Sequence, residues 1–323
     1  GDVILATPVV EKLHKHFPNA KIDFLLRRGN ESLLFNHPYL NESIIWDKKQ
    51  GKWKNVFKLI KKIRKTKYDY VINLQRFFTS GFITIFSNAN KTIGFNKNPL
   101  SFLFSEKIPH HISQLGEDTI HEVHRNLKCI ESLTDNSFHY PQLYPSVKDY
   151  EVVSVYQREK YITIAPASVW FTKQYPKEKW IELISHLNDE YKIYLLGAPS
   201  DKKLGDEIAS EFKYKKIENL SGNLSLLQSA ALMKDAVMNY VNDSAPLHMA
   251  SAMAAPVTAI FCSTVPRFGF GPLGNHSKIV ETTEKLNCRP CGLHGYKKCP
   301  QGHFKCAYSI KVEQLRVTLN GTN

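Results

Sequence analysis

Short β-branched runs alternate with helix-length segments along the whole chain, and this alternation restricts the fold more than any other feature. "KIDFLL" from Lys21, "YDYVINL" from Tyr68 and "KTIGF" from Lys91 have the length and composition of buried strands, each beside a helix-length segment. After the polar stretch "YPSVKDYEVVSVYQREK" the rhythm restarts with "YITIAPAS" from Tyr161, "KIYLLGAP" from Lys192, "AVMNYVND" from Ala236 and "PVTAIFCS" from Pro256. The helical segments between and after them read "PKEKWIELISHLNDE", "SDKKLGDEIASEF", "SLLQSAALMKD" and "APLHMASAMAA". Strand-helix repeats of this kind pair their strands in parallel through right-handed crossovers. The pattern therefore predicts an α/β protein of two doubly wound, Rossmann-like parallel-sheet domains, residues 1–152 and 153–323, with the junction between Lys148 and Lys160.

A chain of 323 residues can bury two cores of ordinary size. Apolar residues make up 42% and no long Pro, Gly or Ser tract occurs, which excludes a disordered chain. The most apolar segments, such as "FFTSGFITIFSNA" from Phe77, stay short of the roughly 20 residues a spanning helix needs. The start "GDVILATPVVEKL" lacks the pattern of a secretory signal. A soluble, cytoplasmic protein is expected.

The net charge of +13 points to an anionic partner: nucleic acid, a phosphorylated metabolite or an anionic membrane. Much of the excess sits in "KKQGKWKNVFKLIKKIRKTKYDY", Lys48 to Tyr70, where Val56, Phe57, Leu59, Ile60 and Ile63 recur at helical spacing between lysines. This is either an amphipathic helix with a solvated basic face or a docking face for phosphates or lipid headgroups. No nucleic-acid motif accompanies it, so nucleic acid is not expected as a partner.

In open parallel sheets, ligands bind beyond the carboxyl ends of the strands, where helix N-termini present free N–H groups. Three strand-end or helix-start clusters fit that position. In "VMNYVNDSAPLHMASAMAAP", Asp243 and Ser244 form a turn, Ala245 and Pro246 open a helix, and His248 occupies its first turn. Helix capping alone explains one of these polar residues but not all three. In "APASVWFTKQYPKEKW", Ser168 follows a strand and Lys173 precedes a helix opened near Pro176, a plausible phosphate clamp; the glycines of a P-loop are absent. At the start, Asp2 opens a helix with an apolar face of Val3, Leu5, Val9, Val10 and Leu13. A capping carboxylate is the plain alternative there.

These pieces, together with "HEVHRNL" from His121, "NLSGNLSLLQSAALMKDA" from Asn219 and "GFGPLG" from Gly269, resemble glycosyltransferase family 9, the ADP-heptose:lipopolysaccharide heptosyltransferases, and within it the heptosyltransferase II type. The resemblance implies a GT-B fold, with two Rossmann-like domains facing a central cleft, and inverting transfer of heptose from ADP-heptose to a lipopolysaccharide inner-core acceptor. It makes Asp2 the catalytic base, places Ser168, Lys173, Asp243, Ser244, Ala245 and His248 on the donor, and makes Arg76 and Arg125 candidate acceptor contacts. Ala245 stands where the family often has glycine. Lys61, Lys62 and Arg64 would meet headgroups at the inner face of the inner membrane, with the protein a monomer. No cofactor is implied, and no Asp-X-Asp metal motif occurs. Family members carry a buried strand and a Ser-rich turn before the Gly-Asp pair, so residues upstream of Gly1 are expected.

Two rival readings remain: a nucleotide or anionic-glycan binding protein on the same scaffold, which would not need Asp2, and a family member using another nucleotide-sugar. A dinucleotide oxidoreductase is excluded by the missing G-x-G-x-x-G. Four of the six cysteines, Cys288, Cys291, Cys299 and Cys306, fall in one segment with His294 and His303. Structural zinc, a disulfide and packed thiols all remain open for them, while Cys129 and Cys262 read as core residues.

Overall fold

The computed structural model describes residues 1–48 and 51–320, so Lys49 and Gln50 of the basic stretch lie outside the described residues. The chain divides into two compact units, one made of residues 2–113 and 120–141, the other of Gly1 with residues 114–119 and 142–323.

The N-terminal unit begins with α1 (Asp2–His16), which has Asp2 in its first turn and His14, Lys15 and His16 in its last, both favourable to the helix dipole. Pro8 sits inside this helix and lacks the N–H that would reach the Ile4 carbonyl. The Thr7 hydroxyl donates to that carbonyl instead, at 2.9 Å. The buried face holds Ile4, Leu5, Val9 and Val10 and also Lys12, whereas Val3 and Leu13 are half-buried. Burying an ammonium is costly unless it is paired and hydrogen-bonded. Lys12 Nζ meets both needs, lying 2.9 Å from Asp135 Oδ1 and donating to the Asp135 and Ser137 carbonyls.

The strands of this unit form two separate parallel sheets. One pairs β1 (Asp23–Arg27) with β2 (Glu42–Trp46). The helix α2 (Lys52–Ile63) packs Val56, Leu59, Ile60 and Ile63 against Ile44 of β2 and Ile83 of the later helix α3 (Phe78–Ile85). The second sheet has the order β3 (Tyr70–Asn73), β4 (Lys91–Phe95), β5 (Glu106–Ile108). The helix α4 (Glu122–Lys128) then packs against α1.

The C-terminal unit starts earlier than the sequence rhythm suggests. Helix α5 (Val147–Val153), opened by a capping box between Ser146 and Asp149, packs on α8 (Leu226–Lys234), so residues 142–152 belong with the second unit rather than the first. A polar-looking segment joined this unit through helix packing, which composition does not reveal. The remaining elements run β6 (Tyr161–Ala165), α6 (Lys177–His186), β7 (Lys192–Leu195), α7 (Lys202–Ser210), β8 (Ile217–Asn219), α8, β9 (Met238–Asn242), α9 (Ala245–Ala252), β10 (Val257–Phe261), β11 (Ser277–Glu281), α10 (Lys305–Tyr308) and α11 (Val312–Asn320). Six parallel strands form one sheet in the order β11-β10-β9-β6-β7-β8. Strands β6, β9 and β10 are buried along their full length, as expected of central parallel strands covered on both faces. The core gathers Ile162, Ile164, Tyr175, Trp180 and Leu183 with Val312 and Leu315 of the terminal helix.

Among the described residues, no helix is long and apolar enough to cross a membrane.

Candidate active site

From the β8 edge the six-stranded sheet reads, in chain order of its strands, as 3-2-1-4-5-6, so the strand order reverses between β6 and β9. That reversal opens the crevice in which doubly wound folds bind nucleotides. The carboxyl ends flanking it are Ala165 and Asn242.

Asn242 is fully buried and ties the two sides of the crevice together. Its Oδ1 accepts from the Tyr175 N–H at 2.8 Å, and its Nδ2 donates to the Pro166 carbonyl at 2.9 Å. The loop carrying Ser168 and Lys173 is thus strapped to the end of β9. Lys173 ends a short 3-10 turn, Phe171–Lys173, whose Thr172 hydroxyl accepts from Ser263 Oγ at 3.0 Å and the Tyr296 N–H at 2.8 Å.

This strapping delivers Lys173 Nζ to within 2.7 Å of Asp243 Oδ2. Asp243 is 5% exposed, and the same oxygen accepts from Thr264 Oγ1 at 2.6 Å. A carboxylate this buried needs such donors. An ammonium has three, so engaging one carboxylate leaves it capacity for a second anion. Ser244 is the N-cap of α9 with extended backbone, yet its hydroxyl turns back to the Asn242 carbonyl at 3.3 Å and does not cap the helix. The capping explanation for Ser244 is therefore removed. Ala245 is exposed at the helix start, and His248 is buried one turn in. Ser168 is half-buried, its carbonyl accepting from Gln174 Nε2 at 2.6 Å.

Arg289 was not among the residues that stand out in the sequence. Its side chain crosses beneath the end of β10, donating from Nε to the Cys262 carbonyl at 2.7 Å and from one Nη to the Thr264 carbonyl at 2.8 Å and to Glu281 at 2.5 Å. It holds the strand end that carries Thr264. Asn242, a polar residue inside an apolar strand run, did carry a readable signal.

The other candidates lie in the N-terminal unit. Asp2 is exposed at the first position of α1. Arg76 is half-buried in the loop that follows β3. Arg125 is 2% exposed, and its guanidinium binds Glu122 at 2.6 Å and the carbonyls of His111 and Ile120. These bonds brace the preceding segment. His110 packs beside it with Nε2 3.9 Å from Glu122. Burial, then the positive charges of Arg76 and Arg125, push its imidazole down to about 4. Lys61, Lys62 and Arg64 are exposed, with Lys62 paired to Glu42.

All six cysteines are unbridged thiols, and Cys129 and Cys262 are fully buried. Cys288 Sγ lies 4.0 Å from His303 Nε2. Burial pushes the Cys291 thiol up and the Cys306 thiol up to about 12. Among the described residues, no group of three or more His, Cys, Asp or Glu is arranged to hold a metal ion. Open grooves beside His186 and Tyr191, and beside Lys215 and Glu218, lie at the amino ends of β7 and β8, away from the strand ends that carry the Lys173–Asp243 pair.

A parallel-sheet unit with a polar cluster at its switch point is the kind of unit that a GT-B fold pairs with a second one, and solved structures match that fold over the full length of the chain. The chain matches a glycosyltransferase family 9 protein of Veillonella parvula at a TM-score of 0.81 and 23% identity, covering 100% of this chain and 93% of that one. It matches the ADP-heptose LPS heptosyltransferase II of Escherichia coli at a TM-score of 0.78 and 20% identity, covering 100% and 95%. The lipopolysaccharide heptosyltransferase 3 of Escherichia coli K12 is 30% identical over 277 residues, 82% of this chain and 80% of that protein. The model of glycosyltransferase family 9 (heptosyltransferase) matches residues 56–297, and the chain belongs to that family. It is a glycosyltransferase with a GT-B fold.

Proposed function

We propose that this enzyme transfers heptose from ADP-heptose to an inner-core lipopolysaccharide acceptor, with inversion at the anomeric carbon. The observation that carries this reading is the Lys173–Asp243 pair at the switch point, beside the uncapped N-terminus of α9. An ADP diphosphate placed there meets one fixed ammonium and the positive end of a helix dipole. The names of relatives such as lipopolysaccharide heptosyltransferase 3 support the choice of sugar and acceptor.

In this reading an acceptor hydroxyl attacks the anomeric carbon from the face opposite the ADP. Asp2 takes the hydroxyl proton as the new glycosidic bond forms. The bond to the β-phosphate oxygen breaks, and Lys173 with the helix N–H groups stabilises the charge that collects on the departing diphosphate. Ser168, Ser244, Ala245 and His248 line the donor, and Arg76 supplies a cation for a phosphorylated or carboxylated acceptor. The ammonium provides the charge neutralisation for which other transferases use a metal, so no cofactor is invoked. The enzyme works as a monomer at the cytoplasmic face of the inner membrane, with Lys61 and Arg64 toward anionic headgroups; Lys62 contributes less because Glu42 holds it.

The test is acceptor-dependent release of ADP from ADP-heptose, with mass spectrometry of the acceptor. Gain of one heptose supports the proposal. Release from another nucleotide-sugar, with none from ADP-heptose, rejects the assigned donor.

A further inference from the structure

Helices α2 and α3 build an aromatic ridge on the surface of the N-terminal unit that the transfer chemistry does not call on. Phe78 and Phe82 on α3 and Phe86 at its C-cap stand at i, i+4 and i+8, a single stripe, with ring centroids 6.2 Å and 4.5 Å apart. Trp53 and Phe57, four apart on α2, lean onto Phe82 at 5.6 Å and 6.1 Å. Phe82 rests against the core, and the rings around it are exposed. Trp53 is 44% exposed, Phe57 58%, Phe78 47% and Phe86 43%, and neighbouring Phe77 reaches 67%. Single exposed apolar residues are ordinary, but a contiguous patch marks a contact surface.

What surrounds the ridge identifies its occupant. At about 100° per residue, Val56, Leu59, Ile60 and Ile63 take the core side of α2, Trp53 and Phe57 the flank next to it, and Lys54, Lys58 and Lys61 the flank beyond. All three lysines are exposed. On the other side the Lys48 ammonium lies 4.9 Å from the Trp46 ring and 5.9 Å from the Phe77 ring. A cation-rimmed aromatic stripe matches an anionic bilayer interface, where rings enter the headgroup boundary and lysines stay with the phosphates. A second copy of the chain fits worse, since a two-fold contact would bring the same lysine rim against itself.

We propose that the α2–α3 ridge inserts its aromatic side chains into the interface of an anionic membrane, with the lysine rim as the electrostatic guide. This deepens the membrane-contact part of the proposed function and rests on that part alone, not on donor, acceptor or catalytic residues.

The experiment uses the full chain and vesicles of phosphatidylcholine with phosphatidylglycerol, at low salt. Trp53 is the reporter: its emission should shift to shorter wavelength on binding and be quenched by lipids brominated in the acyl chain, and Trp53→Phe should lose most of that change. Phe57→Ser with Phe86→Ser should lower vesicle binding by at least about tenfold while the circular dichroism spectrum stays that of the wild type. Binding lost on replacing Lys61, Lys62 and Arg64 by Gln, without any Trp53 shift or brominated-lipid quenching in the unaltered protein, would leave a basic docking face and overturn insertion. Wild-type binding by the Phe57, Phe86 variant would overturn it also. Sedimentation showing a dimer that this variant abolishes would assign the ridge to a second copy and reject the membrane.

Discussion

Lys173 Nζ stands 2.7 Å from Asp243 Oδ2 at the junction of β6 and β9, in a pair whose residues are 70 positions apart in the chain. Asp243 is held by the strand end and Thr264, Lys173 by a loop strapped through Asn242. The ammonium is therefore fixed before any ligand arrives, which reduces the ordering cost of binding. Lys173→Ala should weaken ADP by about tenfold to a hundredfold, the worth of a hydrogen bond to a charged group, and should leave adenosine nearly unaffected. Calorimetric titration of both ligands checks this, and equal losses would remove Lys173 from the diphosphate.

Arg289 should prove costly to replace. Arg289→Met leaves the Cys262 and Thr264 carbonyls without their donor and Glu281 without its partner. A loss of about 2 kcal/mol or more is expected in urea unfolding, as a lower midpoint at unchanged slope. ADP affinity should fall as well, because Thr264 loses its fixed position beside Asp243.

His110 gives a pH dependence with a defined sign. Its folded-state imidazole is depressed from 6.5 to about 4 by burial and the charges of Arg76 and Arg125, so the unfolded chain binds more protons between those values. Stability from this residue is present above about 6.5 and is lost as the pH falls toward 4. In His110→Gln the fall of the unfolding midpoint across that window should become shallower, by up to about one proton's worth of slope. An unchanged slope would show that His110 is not the group responsible.

The basic helix separates a docking face from a solvated one. Replacing Lys61, Lys62 and Arg64 by Gln should reduce binding to anionic vesicles and activity on membrane-embedded acceptor, each exposed cation near the surface contributing on the order of 1 kcal/mol at low salt. Activity on a short, lipid-free acceptor should stay near wild type. Equal effects on the two acceptors would leave the basic face a solvated one.

Much of this was legible in the chain, and the exceptions have physical causes. The central strands announced themselves because burial on both faces demands unbroken β-branched runs, as in "YITIA" and "VTAIF". The short edge strands β5, β8 and β11, reading "EKI", "IEN" and "SKIVE", carry no such run because one edge faces solvent. Helix α8 declared its start through Ser225 and Gln228, which form a capping box. At the site, Asp243 and Lys173 stood out as charged residues just past strand ends, but their pairing is a tertiary event between distant segments. The burial of Arg125 was not legible, because the His111 and Ile120 carbonyls it donates to have no sequence signature. Arg289 was invisible because its partners are the Cys262 and Thr264 carbonyls, which have no sequence signature, and a Glu281 side chain brought near it only by the fold.

Heptose transfer from ADP-heptose with Asp2 as the base requires both an acceptor and an intact Asp2 carboxylate. The most direct measurement is steady-state release of ADP from ADP-heptose in the presence of a heptose-deficient lipopolysaccharide precursor, in the wild type and in Asp2→Asn. The wild type should release ADP only with acceptor present, and the variant should turn over at least about a hundredfold more slowly while binding ADP as tightly, as expected for loss of a general base. No acceptor-dependent release by the wild type would exclude this transfer, and a variant that matches the wild type would remove Asp2 from the mechanism.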